Sequence, residues 1–488
     1  MDVSLTERIA HWGRVAPDRA AHESSGRVIT YGELAGRAES LAAYLRDVIP
    51  NDGSAVAIIG HKEPEMLIGF LGCAMAGHPY IPIDRSTPAQ RVDRVLETAG
   101  RPLRLSPEDI DQRTTSVKRA QCQVSGPDDP YYVLFTSGST GEPKGVVITH
   151  GCLSTFINWV LSEHSWEMGA ERVLNQAPFS FDLSVMDLSI ALATGSTLVS
   201  ITSEQIANPK LLFETLTSAD LTAWVSTPSF AQMCLAERSF NSIMLPRLRR
   251  FLFCGETLPP EVVWELLRRF PGAEVWNTYG PTEATVAVTS IQVTPEILAE
   301  HPVLPMGRVM PAARVVILDE HGSEVTYGDQ GEIVIAGPNV SVGYVQRPDL
   351  TQRSFFELNG QRAYRTGDLG RFQNELLFFD GRSDSQIKLH GYRIETGDIE
   401  ENLRRLENVR DAVVIPVKRE GRVESLAAFI VSTAPPEESD FRAGRALRTA
   451  LAARLPTYMV PRAIRFLDSF PMTPNGKADR RQLLDLLQ

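Results

Sequence analysis

Cysteine is scarce and scattered in this 488-residue chain: Cys73, Cys122, Cys152, Cys234 and Cys254 form no C-x-x-C pair and have no histidine at metal-ligand spacing. That pattern argues against a disulfide framework and against a zinc site, and it fits a reducing compartment. Long apolar runs are missing too. The most hydrophobic window, residues 66–83, is interrupted by His78, Pro79 and Pro82. It is also short of the roughly 20 residues that a membrane span needs, and it reads better as a buried helix running into a strand. The first thirty residues lack a basic-then-apolar leader pattern, so a cytoplasmic protein with no membrane span is expected. Net charge is −11 with no basic run or RNA-type motif, which sets nucleic acid aside as a partner. Long-period repeats and low-complexity tracts are likewise absent.

What is present is the balance of a soluble globular chain, 43% hydrophobic and 22% charged, long enough to bury more than one core. Residues 30–49 carry Leu34, Leu41 and Leu45 at helical spacing behind a Thr-Tyr-Gly-Glu start. Residues 54–60 read as a buried strand, 66–76 as a helix and 80–83 as a strand end. Further apolar runs at 198–201, 223–226, 250–253 and 274–277 continue the alternation, which predicts a large α/β body with mostly parallel sheet. After about residue 304 short strands (313–318, 332–336, 376–379) come with turn residues. They predict an antiparallel, barrel-like β subdomain over about 305–380, closing a body of residues 1–383. Residues 384–488 read as a separate α+β piece, with a helix over 397–406, strands near 412–418 and 425–432, a surface loop at 435–440 and a helix over 442–454. Charge divides along the same line: from Ser385 onward Lys and Arg number 17 against 14 Asp and Glu, a net of +3, which leaves −14 for the rest.

The sharpest local signal is a loop of small residues behind the apolar strand 131–135: Thr136, Ser137, Gly138, Ser139, Thr140, Gly141 and, three residues on, Lys144. Glycines and small hydroxyl residues let backbone N–H groups close around phosphate oxygens, and a lysine adds charge. It is not a Walker A loop, because Gly-Lys-Ser/Thr does not follow at the required spacing.

Five more stretches follow in order. They are Phe179 to Asp182, Asn277 to Glu283, Tyr364 to Asp368, Gly381 to Glu395, and Pro474, Asn475, Gly476 and Lys477. Together with the loop they resemble the motifs of the adenylate-forming superfamily, which includes acyl-CoA synthetases, luciferases and the adenylation domains of nonribosomal peptide synthesis. The resemblance covers nearly the whole chain. It implies an enzyme that uses ATP and Mg²⁺ to join a carboxylate to the α-phosphate. Two anions must then meet, so catalysis is largely positioning and charge neutralisation. By resemblance, Lys477 is the catalytic lysine, Thr282 assists, and Glu283 is the metal carboxylate; Mg²⁺ needs few protein ligands when phosphates supply the rest. The implied ATP set is Thr136, Ser137, Gly138, Ser139, Thr140, Gly141, Lys144, Asn277, Thr278, Tyr279, Gly280, Pro281, Thr282, Asp368, Phe379, Asp380, Gly381, Arg382 and Lys477. Tyr279 offers a flat face for adenine, and Asp368 can accept both ribose hydroxyls. Asp384 is the implied hinge on which the C-terminal piece, 384–488, moves.

Asp182 speaks to substrate class. Superfamily members that use amino acids pair an aspartate here with the substrate ammonium, and a buried carboxylate needs such a cation. A helix N-cap would use the same residue. The stretches Ser180 to Leu188, Phe251 to Glu256 and Asn277 to Thr289 resemble most closely the branch that activates D-alanine for teichoic acid modification. By that resemblance the pocket is lined by Asp182, Leu183, Met186, Leu252, Cys254, Thr278, Val286 and Ala287, with Lys477 reaching in. Cys254 bears on the choice between enantiomers, or is simply a buried small hydrophobe. Leu188-Ser-Ile replaces the branch's aromatic-Pro continuation near the pocket, and Ile394-Glu-Thr-Gly-Asp replaces the usual run after the hinge. No carrier segment follows Lys477, so the expected acceptor is the phosphopantetheine thiol of a separate carrier protein. A stand-alone ligase for L-alanine, glycine, serine or L-proline, and a non-catalytic nucleotide-binding protein on the same scaffold, stay open at this point.

Overall fold

The computed structural model describes residues 4–50, 52–115, 125–138, 141–419, 422–433, 439–473 and 478–487. The chain forms two compact units: residues 1–84, 101–134 and 145–383 in the larger, and 85–100, 135–144 and 384–488 in the smaller. The smaller unit therefore takes in a helix, Ala89–Thr98, and the glycine-rich loop, both far from its main segment in sequence.

The larger unit is built on two mixed sheets. One has nine strands in the order Arg308–Val309, Thr289–Gln292, Glu274–Tyr279, Arg250–Phe253, Ala223–Ser226, Arg172–Asn175, Thr197–Ser200, Ala20–Ser24 and Arg27–Thr30. The strands from Glu274–Tyr279 through Ala20–Ser24 run parallel, with antiparallel strands at both edges. The parallel strands 197–200, 223–226 and 250–253 are buried at every residue, as strands covered on both faces must be. The second sheet has six strands, in the order Gly343–Tyr344, Lys144–Thr149, Pro130–Thr136, Tyr80–Asp84, Val56–Gly60 and Leu103–Leu105. Helix Tyr31–Val48 starts in a capping box: Glu33 N–H donates to the Thr30 hydroxyl while the Glu33 carboxylate accepts from Thr30 N–H. Helix Leu183–Ala193 is buried at all of its 11 residues.

Chain order along the nine-stranded sheet fixes where a ligand can sit. From Arg172–Asn175 the chain goes to Thr197–Ser200 on one side, then to Ala223–Ser226 on the other and outward from there. The direction of winding reverses between strands 172–175 and 223–226. Loops leaving the carboxyl ends of those two strands must part in opposite directions, which leaves a crevice.

The β subdomain is an open antiparallel sheet, and not barrel-like as its strand pattern suggests. Its order is Arg314–Leu318, Gly331–Ala336, Gln361–Gln373 and Phe355–Leu358, with Leu376–Arg382 also paired to 361–373. The physical reason is the 13-residue central strand, long enough to pair with both 355–358 and 376–382 at successive stretches, so the turns after each hairpin are spent without carrying the chain around to the other edge.

The smaller unit has a hairpin, Gln386–Leu389 with Tyr392–Glu395, and a three-stranded sheet of Val409–Arg419, Arg422–Ser432 and Ala463–Phe466. Helices Thr396–Arg404 and Asp440–Ala452 flank them. Inside this unit Arg91 donates to the buried Asp398 carboxylate at 2.8 Å. The 435–440 loop lies partly outside the described residues, since 434–438 are not among them. Among the described residues no helix is long and apolar enough to cross a membrane.

Candidate active site

Strand Arg172–Asn175 ends at the crevice, and the chain then makes a tight turn, with Phe181 N–H donating to Pro178 C=O at 2.9 Å. Helix Leu183–Ala193 follows, and Asp182 stands at its N-cap position. Asp182 does not cap it: φ −63° and ψ −27° are already helical, and the side chain accepts no bond from the helix backbone. Its carboxylate is turned instead to Thr282, whose hydroxyl donates to Oδ2 at 2.7 Å.

The residues expected to line a pocket beside it are buried. Leu183 and Met186 come from the first turns of the helix, Leu252 and Cys254 from the end of strand 250–253, and Val286 and Ala287 from the segment after Glu283; all are buried in one apolar cluster. Thr278 is buried too, its hydroxyl donating to Phe253 C=O at 2.9 Å. Cys254 Sγ lies 3.8 Å from Val286 C=O. Two consecutive left-handed residues, Thr285 at φ +58° and Val286 at φ +70°, turn the chain back on itself. For β-branched residues that conformation is strained, and strain of this kind gathers at functional sites. The return brings the 286–287 backbone so close to Gly280 that a Cβ there would meet Ala287 Cα at 2.6 Å, so position 280 has room only for glycine.

Tyr279, Asp368 and Arg382 form one bonded group, the first two buried and Arg382 partly so. Tyr279 donates its phenol to Asp368 Oδ2 at 2.7 Å, and Arg382 pairs with Asp368 Oδ1. Burial, and then the Asp368 charge, push the Tyr279 phenol well above its ordinary range, so it stays a donor. Glu283 is fully buried and accepts from the Tyr344 phenol at 2.8 Å. Asn277, expected to face the nucleotide, donates its amide to Pro305 C=O at 2.8 Å. Phe379 is half-buried, Asp380 pairs with Arg371, and Gly381 is left-handed at φ +127°.

The glycine-rich loop belongs to the smaller unit and is held there by its own bonds. Ser137 donates its hydroxyl to Arg393 C=O at 2.9 Å and accepts from Glu395 N–H at 3.1 Å. Lys144 Nζ lies 3.8 Å from Glu395 Oε1. Gly141, at φ +82°, donates its N–H to Gly138 C=O at 3.1 Å, and a Cβ on Gly138 would collide with Glu142 C=O. The Thr136 hydroxyl is buried and has no hydrogen-bond partner among the described residues. Asp384 is exposed between Ser383 and Ser385, and Gln386 N–H donates to its Oδ1 at 3.1 Å. Ser139, Thr140, Lys477 and Cys122 lie outside the described residues.

Sequence reading missed Tyr344, which holds Glu283, and a buried trio, Lys62, Asn175 and Asp187, behind the Asp182 segment. Lys62, Asn175 and Tyr344 stand outside the motifs, and Asp187 lies in the 180–188 stretch with no role assigned to it. The one available signal was Asp187, the single charged residue of helix Leu183–Ala193.

A doubly wound body followed by a small α+β unit is the architecture of an adenylate-forming enzyme. The chain belongs to the AMP-binding enzyme family: the model of that family matches residues 9–345, and that of its C-terminal domain matches residues 398–477. Among curated relatives it is 46% identical to the D-alanine–D-alanyl carrier protein ligase of Bacillus cytotoxicus, over 99% of both chains. It is as close to the ligase of the same name from Bacillus mycoides, at 46% identity and the same coverage. Among solved structures, holo-PA1221, a nonribosomal synthetase protein with adenylation and carrier domains, aligns with TM-score 0.84 and 27% identity over 99% of this chain and 84% of that one. The Vibrio cholerae adenylation domain AlmE, solved with glycyl-adenosine-5′-phosphate, shares the fold at TM-score 0.86 and 22% identity over 100% of this chain and 98% of that one.

Proposed function

We propose that this enzyme activates D-alanine with ATP and loads it on a carrier protein. In the first step a carboxylate oxygen of alanine attacks the α-phosphorus, pyrophosphate leaves, and D-alanyl-AMP remains. In the second, the phosphopantetheine sulfur of a separate carrier attacks the acyl carbon, AMP leaves, and the thiol proton passes to solvent. The product is the thioester used in teichoic acid D-alanylation.

The observation that carries this reading is Asp182, a half-buried carboxylate that accepts from the Thr282 hydroxyl and is not spent on the helix end it precedes. An aspartate so placed can pair with the ammonium of a small amino acid. Leu183, Met186 and Cys254 would leave room for little more than a methyl group beside it. Tyr279, Asp368 and Arg382 suit adenine and ribose, and the 136–144 loop with Lys144 suits the phosphates. Lys477 would neutralise charge between carboxylate and α-phosphate. Glu283 fits as the single protein carboxylate on a Mg²⁺ whose other ligands are phosphates and water; the ion would supply charge neutralisation on the phosphates. Asp384, exposed and flanked by serines, would be the hinge on which residues 384–488 turn between the two steps. ATP use and the buried thiols Cys73, Cys152, Cys234 and Cys254 suit the cytoplasm, where we place it.

A pyrophosphate-exchange panel tests the reading. D-Alanine should give the highest kcat/KM, ahead of L-alanine, glycine, serine and L-proline, and propionate should give none. Exchange supported by propionate would show that Asp182 has been misread. Preference for another amino acid would move the substrate and leave the reaction class standing.

A further inference from the structure

Behind the segment that carries Asp182 lies a buried polar network that the reaction as described does not use. Lys62, in the turn between strand Val56–Gly60 and helix Pro64–Ala76, is only 1% exposed. Its ammonium donates to Asn175 Oδ1 and to Ala177 C=O and lies 4.5 Å from the centre of the Phe179 ring. Asn175 in turn donates from Nδ2 to Asp187 Oδ1 at 2.9 Å and to Ala177 C=O at 3.2 Å. Ser200 donates its hydroxyl to Asn175 Oδ1 at 2.6 Å, so His22 Nε2, 2.9 Å from that hydroxyl, must be the donor to it. Asn175 and Asp187 have no exposed surface.

Every acceptor of the Lys62 ammonium belongs to residues 175–177, and the ring below it is Phe179. Asp182 follows three residues later, and Asp187 sits just over one turn along the helix that Asp182 begins. We infer that Lys62 is a positioning residue for the amino-acid substrate: by gripping Asn175, Ala177 and Phe179 from beneath, it sets where the Asp182 carboxylate stands. This rests on the reading of Asp182 as the ammonium's partner.

A buried charge is tolerated only when it is bonded and balanced, and here the balance is tunable. Burial lowers the Lys62 pKa to about 7, against the pull of Asp187 and then Asp84, which raise it. Burial pushes the Asp187 carboxyl well up. His22, which also faces the network, is neutral: burial and Lys62 hold it at about 3. As pH falls below about 7, Lys62 becomes fully charged and grips its acceptors hardest; as pH rises through that value the proton leaves and the grip weakens. Alanine KM should therefore rise above neutral pH, well before the substrate's own ammonium titrates, while ATP KM stays flat.

The test is steady-state pyrophosphate exchange across pH 6–9 with the full-length wild-type enzyme, Lys62→Met, Asp187→Asn and Asp182→Asn. For Lys62→Met we expect alanine KM to rise on the order of 10- to 100-fold, the scale of a misplaced positioning group, with ATP KM within about twofold and the pH dependence gone. A variant that loses alanine and ATP affinity equally, or neither, overturns the inference. Asp187→Asn keeps the side-chain shape, so it serves even if Lys62→Met fails to fold. Removing the charge that raises the Lys62 pKa should move the break in alanine KM to lower pH, and an unmoved break overturns the inference. Asp182→Asn separates the two readings. If it leaves alanine KM unchanged, the reading of Asp182 fails and this inference with it. If it raises alanine KM while Lys62→Met does not, this inference alone fails.

Discussion

Lys477→Ala should nearly abolish adenylate formation while sparing transfer from preformed alanyl-AMP. A charged partner lost where two anions meet commonly costs on the order of 10²–10³ in rate. Pyrophosphate exchange in that variant, beside single-turnover carrier loading from synthetic alanyl-AMP, checks both halves. Cys254→Ala should act more gently. Its sulfur is buried 3.8 Å from Val286 C=O, and truncation removes one heavy atom from the pocket wall. Pocket groups of that size discriminate by roughly 1–3 kcal/mol, so the ratio of kcat/KM for the two alanine enantiomers should shrink without vanishing, and L-serine should gain. Asp182, Glu283 and Asp368 were legible in the sequence because each sits in a run whose residue types make chemical sense together. Lys62, Asn175, Asp187 and Tyr344 were not. Their partners lie in other elements, 12 to 113 residues away, and only the fold brings them together.

At the scale of elements, hydrophobic periodicity was a good guide wherever burial is one-sided or complete. Strands Ala223–Ser226 and Arg250–Phe253 match their apolar runs residue for residue, and helix Tyr31–Val48 starts where its Thr-Tyr-Gly-Glu signal puts it. The β subdomain was harder, because alternation marks strands without saying whether a sheet closes; the 13-residue strand 361–373 decided that. Nor could local pattern foresee that Ala89–Thr98 and the 136–144 loop pack with the C-terminal residues, since that depends on ion pairs such as Arg91 with Asp398 across some 300 positions. The connector at Ser383, Asp384 and Ser385 is exposed on every residue, and its side chains tolerate a change of φ and ψ. Asp384→Pro locks φ. It should leave pyrophosphate exchange within a few fold of wild type and cut carrier loading severely; normal loading would move the hinge elsewhere.

For the molecule as a whole, charge and burial set two different constraints. Residues from Ser385 onward carry a net +3 against −14 for the rest, an asymmetry suited to meeting an anionic partner. Raising salt from about 0.05 to 0.5 M shortens the Debye length to a few ångströms, so kcat/KM for carrier loading should fall several-fold while pyrophosphate exchange barely moves. Equal sensitivity of both reactions would place the carrier's landing site off this face. Burial governs a slower process, the drift of the sequence itself. Helix Leu183–Ala193 is enclosed on all sides, so each of its 11 side chains is fixed by neighbours whether or not it lines the pocket. Ser184, Ser189 and Ala191 would then resist change as stubbornly as Met186, for reasons of volume alone. A lineage seeking a roomier pocket could not widen it from this wall without unsettling the middle of the body.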